Sequence, residues 1–227
     1  MLSRMERIVD GVWEVGIGYV HAHVVDTENG LVLVDTGTPG KIGKIDGALR
    51  EIGKSVEDIR TILLTHWHYD HIGTLGEIVK RSGATVLAHA VDAPIIDGSQ
   101  PPQLTWIMKL TKPMMGSPAL APVDRRIDAD GPTGVPGITA MHTPGHTAGH
   151  LSYLLDAHGG VLFAGDVATN MSGRIRRPPK PVTPDMPANE ASMRKVAEME
   201  FDVVVFGHGK AVVGGAARKF RDFTATL

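Results

Sequence analysis

The chain has 227 residues, 42% hydrophobic and 21% charged, ordinary values for one large globular domain or two small ones. It holds no cysteine, which excludes a disulfide scaffold, a thiolate zinc or iron–sulfur site and a cysteine nucleophile. Its 23 Lys and Arg against 25 Asp and Glu leave a net charge of −2, without the basic excess that a nucleic-acid backbone demands.

In chain order, Val12 to Val15, Tyr19 to Asp26 and Leu31 to Asp35 read as strands. The last two are joined across Glu28-Asn29-Gly30, a hairpin signal because Asn and Gly tolerate positive φ. Gly40 to Ile52 switches to helical spacing, with Ile42, Ile45, Leu49 and Ile52 on one stripe. Thr61 to Thr65 is a short buried strand, Leu75 to Arg81 a helix and Ala84 to His89 a strand. Residues 94–130 carry six prolines among Trp106, Ile107, Met108, Leu110, Met114 and Met115, too apolar for a linker and too Pro-broken for a long helix. Beyond them Ile138 to His142, Leu151 to Leu155 and Val161 to Ala164 read as strands, Asn189 to Glu200 as a helix and Val203 to Phe206 as a strand. Between Met171 and Pro187 lies a Pro-rich basic loop with Arg174, Arg176, Arg177 and Lys180. The outline is two β-rich halves followed by helices, packed as two central sheets with helices outside. No apolar run approaches the ~20 residues of a membrane span, and the first residues lack a signal-peptide core. The expectation is a soluble, cytoplasmic protein with a small-molecule partner, no nucleic acid or membrane, and a homodimer as the one candidate assembly.

The 11 histidines cluster. In TILLTHWHYDHIGT, His66, His68, Asp70 and His71 directly follow a buried strand. In extended backbone, residues two apart point the same way, so His66 and His68 can face one ion. Asp70 and His71 come where the chain turns into a helix and can face a second. Burying four such groups unpaired would be expensive, which argues against a core role. His146 in a Pro-Gly turn, Asp166 ending LFAGD and His208 ending VVVFGH each place a ligand-type residue beside glycine at a strand end.

These motifs, with Asp35 in LVLVDTG, resemble the metallo-β-lactamase superfamily of metallohydrolases over essentially the whole chain. The resemblance implies an α/β (α+β) fold, a four-layer αββα sandwich formed by residues 1–227 as a single domain. It implies that His66, His68 and His146 hold one metal and Asp70, His71 and His208 the other, with Asp166 bridging them. Asp35 would orient a ligand from behind. Imidazole and carboxylate donors without thiolate suit two divalent ions, zinc first, with iron or manganese as alternatives. Such a pair lowers the pKa of a shared water from about 15.7 to about 7. The expected chemistry is therefore attack of a bridging hydroxide on an ester, thioester, lactone or β-lactam, with Asp70 as the catalytic residue that orients the water or relays its proton. Residues 94–130 occupy the place of a substrate-selecting insertion, in which Trp106, Met108 and Met115 would wall the pocket. His21, His23, His89, His142, His150 and His158 are read as non-ligands.

Within the family, the His at position 68 disfavours the flavodiiron branch, which has Glu there. The glyoxalase II branch shares every ligand and adds a helical extension that grips glutathione, whereas this sequence ends about twenty residues after His208. The lactonase branch uses a tyrosine between the bridging Asp and the last His, where this chain has none; its three are Tyr19, Tyr69 and Tyr153. What remains is a hydrolase of the glyoxalase II or lactonase type, the alternative being an oxidoreductase resembling the mononuclear-iron persulfide dioxygenases.

Overall fold

The structure is a computed structural model that describes residues 4–227. Arg4–Val9 (β1), Val12–Ile17 (β2), Val20–Thr27 (β3) and Gly30–Val34 (β4) pair antiparallel, and Ile59–Leu63 (β5), Thr85–His89 (β6) and Arg125–Ile127 (β7) extend the sheet in parallel. The seven strands lie in sequence order. Gly131–Pro132 (β8), Ile138–His142 (β9), Leu151–Leu155 (β10), Val161–Phe163 (β11), Val203–Val205 (β12) and Val212–Val213 (β13) form a six-stranded second sheet whose strands also lie in sequence order. Only its β11–β12 pair is parallel.

Period-two burial makes these two sheets a sandwich. Along β4, Leu31 and Leu33 point outward into a core with Ile45, Ala48 and Leu49 of the helix Ile42–Glu51 (α1), whereas Val32 and Val34 point inward. Along β11, Leu162 faces out while Val161 and Phe163 meet Val32, Val34 and Leu63 between the sheets. Each such side chain, fully removed from water, contributes about 1.5–3 kcal/mol. The short helix Tyr69–Ile72 (α2) follows β5, and Leu75–Ser82 (α3) covers the first sheet beside α1. Ala93–Ile96 (α4) and Trp106–Met115 (α5) lie in the segment before β7. Met186–Ala197 (α6) and Ala216–Thr224 (α7) cover the second sheet through Met193, Val196, Ala216 and Phe220. The order of layers is α, β, β, α. Among the described residues, no helix is long and apolar enough to cross a membrane.

Short elements such as α4, β7, β8 and β13 were not expected from the sequence, and four further differences have a plain physical cause. β1 has charged residues on an edge strand, Glu6 and Arg7 being exposed, which protects the edge and hides the apolar pattern. α7 was not expected because Ala217, Phe220 and Thr224 are the sparse buried face of a polar helix. α6 begins at Met186, inside the expected loop, because Asp185 caps it by accepting the Ala188 N–H at 3.0 Å. Residues 94–130 do contain a ten-residue helix, α5. Pro113 lies two residues before the helix ends at Met115, so the bond its missing N–H forgoes and its crowding of the carbonyl four residues earlier disturb only the final turn.

The topology concentrates chemistry at one rim. His66, Asp166 and His208 each lie three residues beyond the end of a strand in a parallel pair, Leu63, Phe163 and Val205 respectively, and His146 lies in the β9–β10 connection.

Candidate metal centre

The chain leaves β5 and enters α2 through His66-Trp67-His68, and the His71 N–H closes the turn on the His68 carbonyl at 2.8 Å. This turn carries four candidate ligands, and the second sheet brings the other three to it from the β9–β10 connection and the ends of β11 and β12. Ligand atoms of His66, His68 and His146 lie within 4.8 Å of one another, as do those of His66, His71 and Asp166 and those of Asp70, His71 and His208. Asp166 Oδ2 stands at the centre, 3.3 Å from His146 Nε2, 3.7 Å from His71 Nε2 and 3.2 Å from His208 Nε2. Asp70 Oδ2 is 3.6 Å from His208 Nε2.

The rings are held from behind. Asp35, left-handed at φ +60, accepts the Thr65 N–H at 2.8 Å, the Thr65 hydroxyl at 2.7 Å and the His71 Nδ1–H at 2.8 Å. Thr65 Oγ1, having spent its proton on Asp35, accepts from His66 Nδ1 at 3.0 Å. His146 Nδ1 bonds Thr183 Oγ1 at 3.0 Å, and His208 Nδ1 donates to the Tyr19 carbonyl at 2.9 Å. Four imidazoles thus turn Nε2 toward the cluster, while His68 brings Nδ1 within 2.9 Å of His146 Nε2. Fixing one ring nitrogen by hydrogen bonding leaves the other a directed lone pair, the arrangement that metal ligands require.

The electrostatics follow from burial. Desolvation, with the neighbouring imidazoles, holds His66 and His146 well below the ordinary histidine value and His68 at about 4. Burial opposes charge on His71 and His208 most strongly of any one influence, yet the carboxylates facing them together outweigh it, Asp166 with Asp35 and Asp70 at His71 and Asp166 with Asp70 at His208, and raise them to about 10 and about 9. Asp166 resists its own desolvation because His208 and His71 face it, and it lies well below the usual carboxylate range. Cations compete with protons for the same lone pairs.

The residues suit divalent cations. His66 Nε2, His71 Nε2 and Asp166 Oδ1 are buried without any hydrogen-bond partner, three orphaned polar atoms within one cluster. Gly207 leaves the space they need, since a Cβ there would collide with Asp166 Oδ1 and stand 2.6 Å from His71 Cε1.

The sequence did not single out several supporting groups. His150, read as a non-ligand, accepts the Asp166 N–H on Nε2 at 2.9 Å and bonds Thr143 through Nδ1 at 2.8 Å. Asp92 accepts from the Trp67 N–H, the Thr147 hydroxyl and the Gly149 N–H, tying the two ligand loops together. Neither has a sequence signal, because the partners lie 7 to 57 positions away. His21 and His23 stay outside the cluster and face Glu14 Oε2 at 3.6 and 3.4 Å.

A cavity of about 270 Å³ opens onto the cluster beside His68, Asp70, His146, Asp166 and His208. Its apolar wall is built by Tyr19, Trp67, Leu104, Met108, Met171 and Val182. Met108 is in this wall. Trp106 is not: it lies on the opposite side of the α5 turn, 69% exposed, outside the cavity. The side chain of Met115 lies outside the described residues. None of the basic residues of the 171–187 loop lines the cavity, and Arg177 is engaged by Glu190 at 2.9 Å.

Residues 15–208 match the family profile described as the metallo-beta-lactamase superfamily. The chain belongs to that superfamily. It is a hydrolase of the metallo-beta-lactamase fold, and similar proteins include the probable metallo-hydrolase YflN of Bacillus subtilis, 28% identical over 205 residues that cover 81% of this chain and 76% of YflN. The hydroxyacylglutathione hydrolase of Shewanella oneidensis is 28% identical over 155 residues, 65% of this chain, which spans about half (47%) of that protein. Among solved structures, one described as the first B3 metallo-beta-lactamase with an active site glutamic acid superposes with a TM-score of 0.74 at 27% identity, covering 98% of this chain and 88% of that one.

Proposed function

We propose that this metallo-beta-lactamase-fold hydrolase binds two divalent cations, zinc first with iron or manganese as alternatives, and cleaves an acyl bond: an ester, thioester, lactone or β-lactam. His66, His68 and His146 would hold one ion and Asp70, His71 and His208 the other, with Asp166 shared between them. The observation that carries this reading is the convergence of Asp166 Oδ2 with three imidazole nitrogens within 3.7 Å, among buried polar atoms that no protein group satisfies. Bound there, the cations supply a water acidified toward a pKa of about 7 and an electrophile for the scissile carbonyl.

The protein's own groups do the rest. Asp70, in the cavity wall, accepts the proton that the attacking water gives up. Trp67, Leu104, Met108 and Met171 exclude bulk water and seat an apolar arm of the acyl group, methionine adapting to its shape. The names of two relatives, a hydroxyacylglutathione hydrolase and a β-lactamase, support an acyl carbon as the reacting centre.

The test is metal analysis of the purified protein with a panel of ester, thioester, lactone, phosphoester and β-lactam substrates after zinc, iron or manganese reconstitution. Two ions per chain and hydrolysis of an acyl substrate, abolished by Asp70→Ala, are expected. One iron per chain with oxygen consumption on a persulfide would replace this reading by the oxidoreductase alternative.

A further inference from the structure

Tyr19 stands at the tip of the β2–β3 hairpin, where Ile17 and Val20 pair across a two-residue turn. Gly18, the first central residue, has φ +80, which a II′-type turn requires and glycine accepts without strain. Two main-chain contacts clamp this tip to the opposite sheet's ligand loop. The Tyr19 carbonyl accepts from His208 Nδ1 at 2.9 Å, and the His21 N–H donates to the Gly207 carbonyl at 2.9 Å.

The side chain is placed as closely as the backbone. Its ring stacks on the His208 imidazole, with centroids 5.7 Å apart and planes inclined by 6°, and among the charged groups near it the Asp70 carboxylate acts most strongly on its hydroxyl. Tyr19 lines the cavity that opens onto the cluster, yet 53% of it is exposed. A tyrosine retained for core packing would be buried; this one spends a constrained turn and an aromatic stack on holding a phenol O–H at the mouth of a polar cluster. Among the described residues lining the cavity, the remaining side-chain hydroxyls are those of Tyr69, Thr111 and Thr169.

We propose that Tyr19 is a catalytic residue for the acyl hydrolysis put forward above, on which this inference rests: its phenol donates a hydrogen bond to the substrate oxygen that gains negative charge as the acyl carbon becomes tetrahedral. The phenol keeps its proton throughout. Its role is that of a preorganised donor, and loss of one such donor lowers kcat by roughly a hundredfold to a thousandfold.

The variant Tyr19→Phe keeps the ring on His208 and removes only the hydroxyl. Expected for the zinc-loaded protein are unchanged metal content and melting temperature, kcat on the best acyl substrate reduced about a hundredfold, and KM changed far less. A second readout needs no turnover. Titration calorimetry with n-hexylphosphonate, a tetrahedral anion, should show Tyr19→Phe binding it roughly tenfold to a hundredfold more weakly than the wild type, the loss for one hydrogen bond to a charged group. Wild-type phosphonate affinity in Tyr19→Phe overturns the proposal. So does a fall in turnover matched by a fall in bound zinc, which would make Tyr19 a positioning residue for His208. Should the wild type hydrolyse none of the acyl substrates, the functional reading fails and the catalytic role fails with it, while the phosphonate titration still reports whether the phenol reaches a bound oxyanion.

Discussion

Replacing Gly207 by Ala tests whether the cluster is a fitted cation site. Gly207 does not use a positive φ, so the substitution leaves the backbone unstrained and acts through one added methyl. That methyl would overlap Asp166 Oδ1 and lie 2.6 Å from His71 Cε1, where ordinary contact begins at 3.4 Å. The His71 ring must retreat by about 0.8 Å, and misplacements near 1 Å are enough to cost about 10²-fold in a tuned site. Overpacking itself costs about 1–3 kcal/mol. In the wild type, zinc held a hundredfold above its Kd adds about 2.7 kcal/mol per site, a rise in Tm of roughly 5–10 °C for a chain of this length. The expected result is that Gly207→Ala melts somewhat lower without zinc and loses most of the zinc-induced rise, with fewer than two ions retained after dialysis. A variant that keeps two tightly bound ions and the full rise would refute the placement of Asp166 and His71 as ligands.

Gly43→Ala is the matched control: it lies within α1 with nothing within 4 Å of the new Cβ, so it should stabilise the fold by about 1 kcal/mol in a denaturant titration and leave zinc binding unchanged. Asp35→Ala removes the acceptor of the Thr65 N–H, the Thr65 hydroxyl and the His71 Nδ1–H, all buried. At about 1–3 kcal/mol per orphaned group, urea denaturation should show a loss of several kcal/mol. Asp35→Asn should instead show chiefly a 10–100-fold weaker zinc affinity. Burial raises the Asp92 carboxyl to about 6 despite the Thr147, Gly149 and Trp67 donors. A proton is then held more tightly in the folded than in the unfolded chain, so this group's stabilisation is complete below about pH 4 and lost as pH rises through 6. Relative to Asp92→Asn, the wild type should lose up to about 3 kcal/mol over that interval; parallel stability–pH curves for the two proteins would contradict it.

Much of the fold was legible in the sequence because alternation is local. Leu31 to Val34 face two different cores by period two, and the stripe of Ile45 and Leu49 on α1 needs no knowledge of the rest of the chain. β1 escaped notice because an edge strand suppresses that pattern, and α5 because Pro113 looks like a breaker until its place in the last turn is known. The candidate ligands were legible for a related reason: four fall within six consecutive residues, and the others sit beside glycine at strand ends. Trp106 shows the limit of such reading, since an apolar residue one position from Ile107 and two from Met108 can face solvent on a helix whose other side walls the cavity.

The order of residues along this chain determined which side chains carry lone pairs, which strands have two apolar faces, and that thiol chemistry plays no part. Tertiary structure decided everything that depends on direction and distance. It turned Nε2 of four imidazoles inward by bonding Nδ1 to Asp35, Thr65, Thr183 and the Tyr19 carbonyl, and it set the His150 ring behind the Asp166 amide. It also carried Tyr19, 189 positions from His208 in sequence, onto that imidazole. The physical reason is that a hydrogen bond or a stacked ring contact forms only at a few ångströms and a set angle, whereas the spacing of residues along a chain constrains only its nearest neighbours.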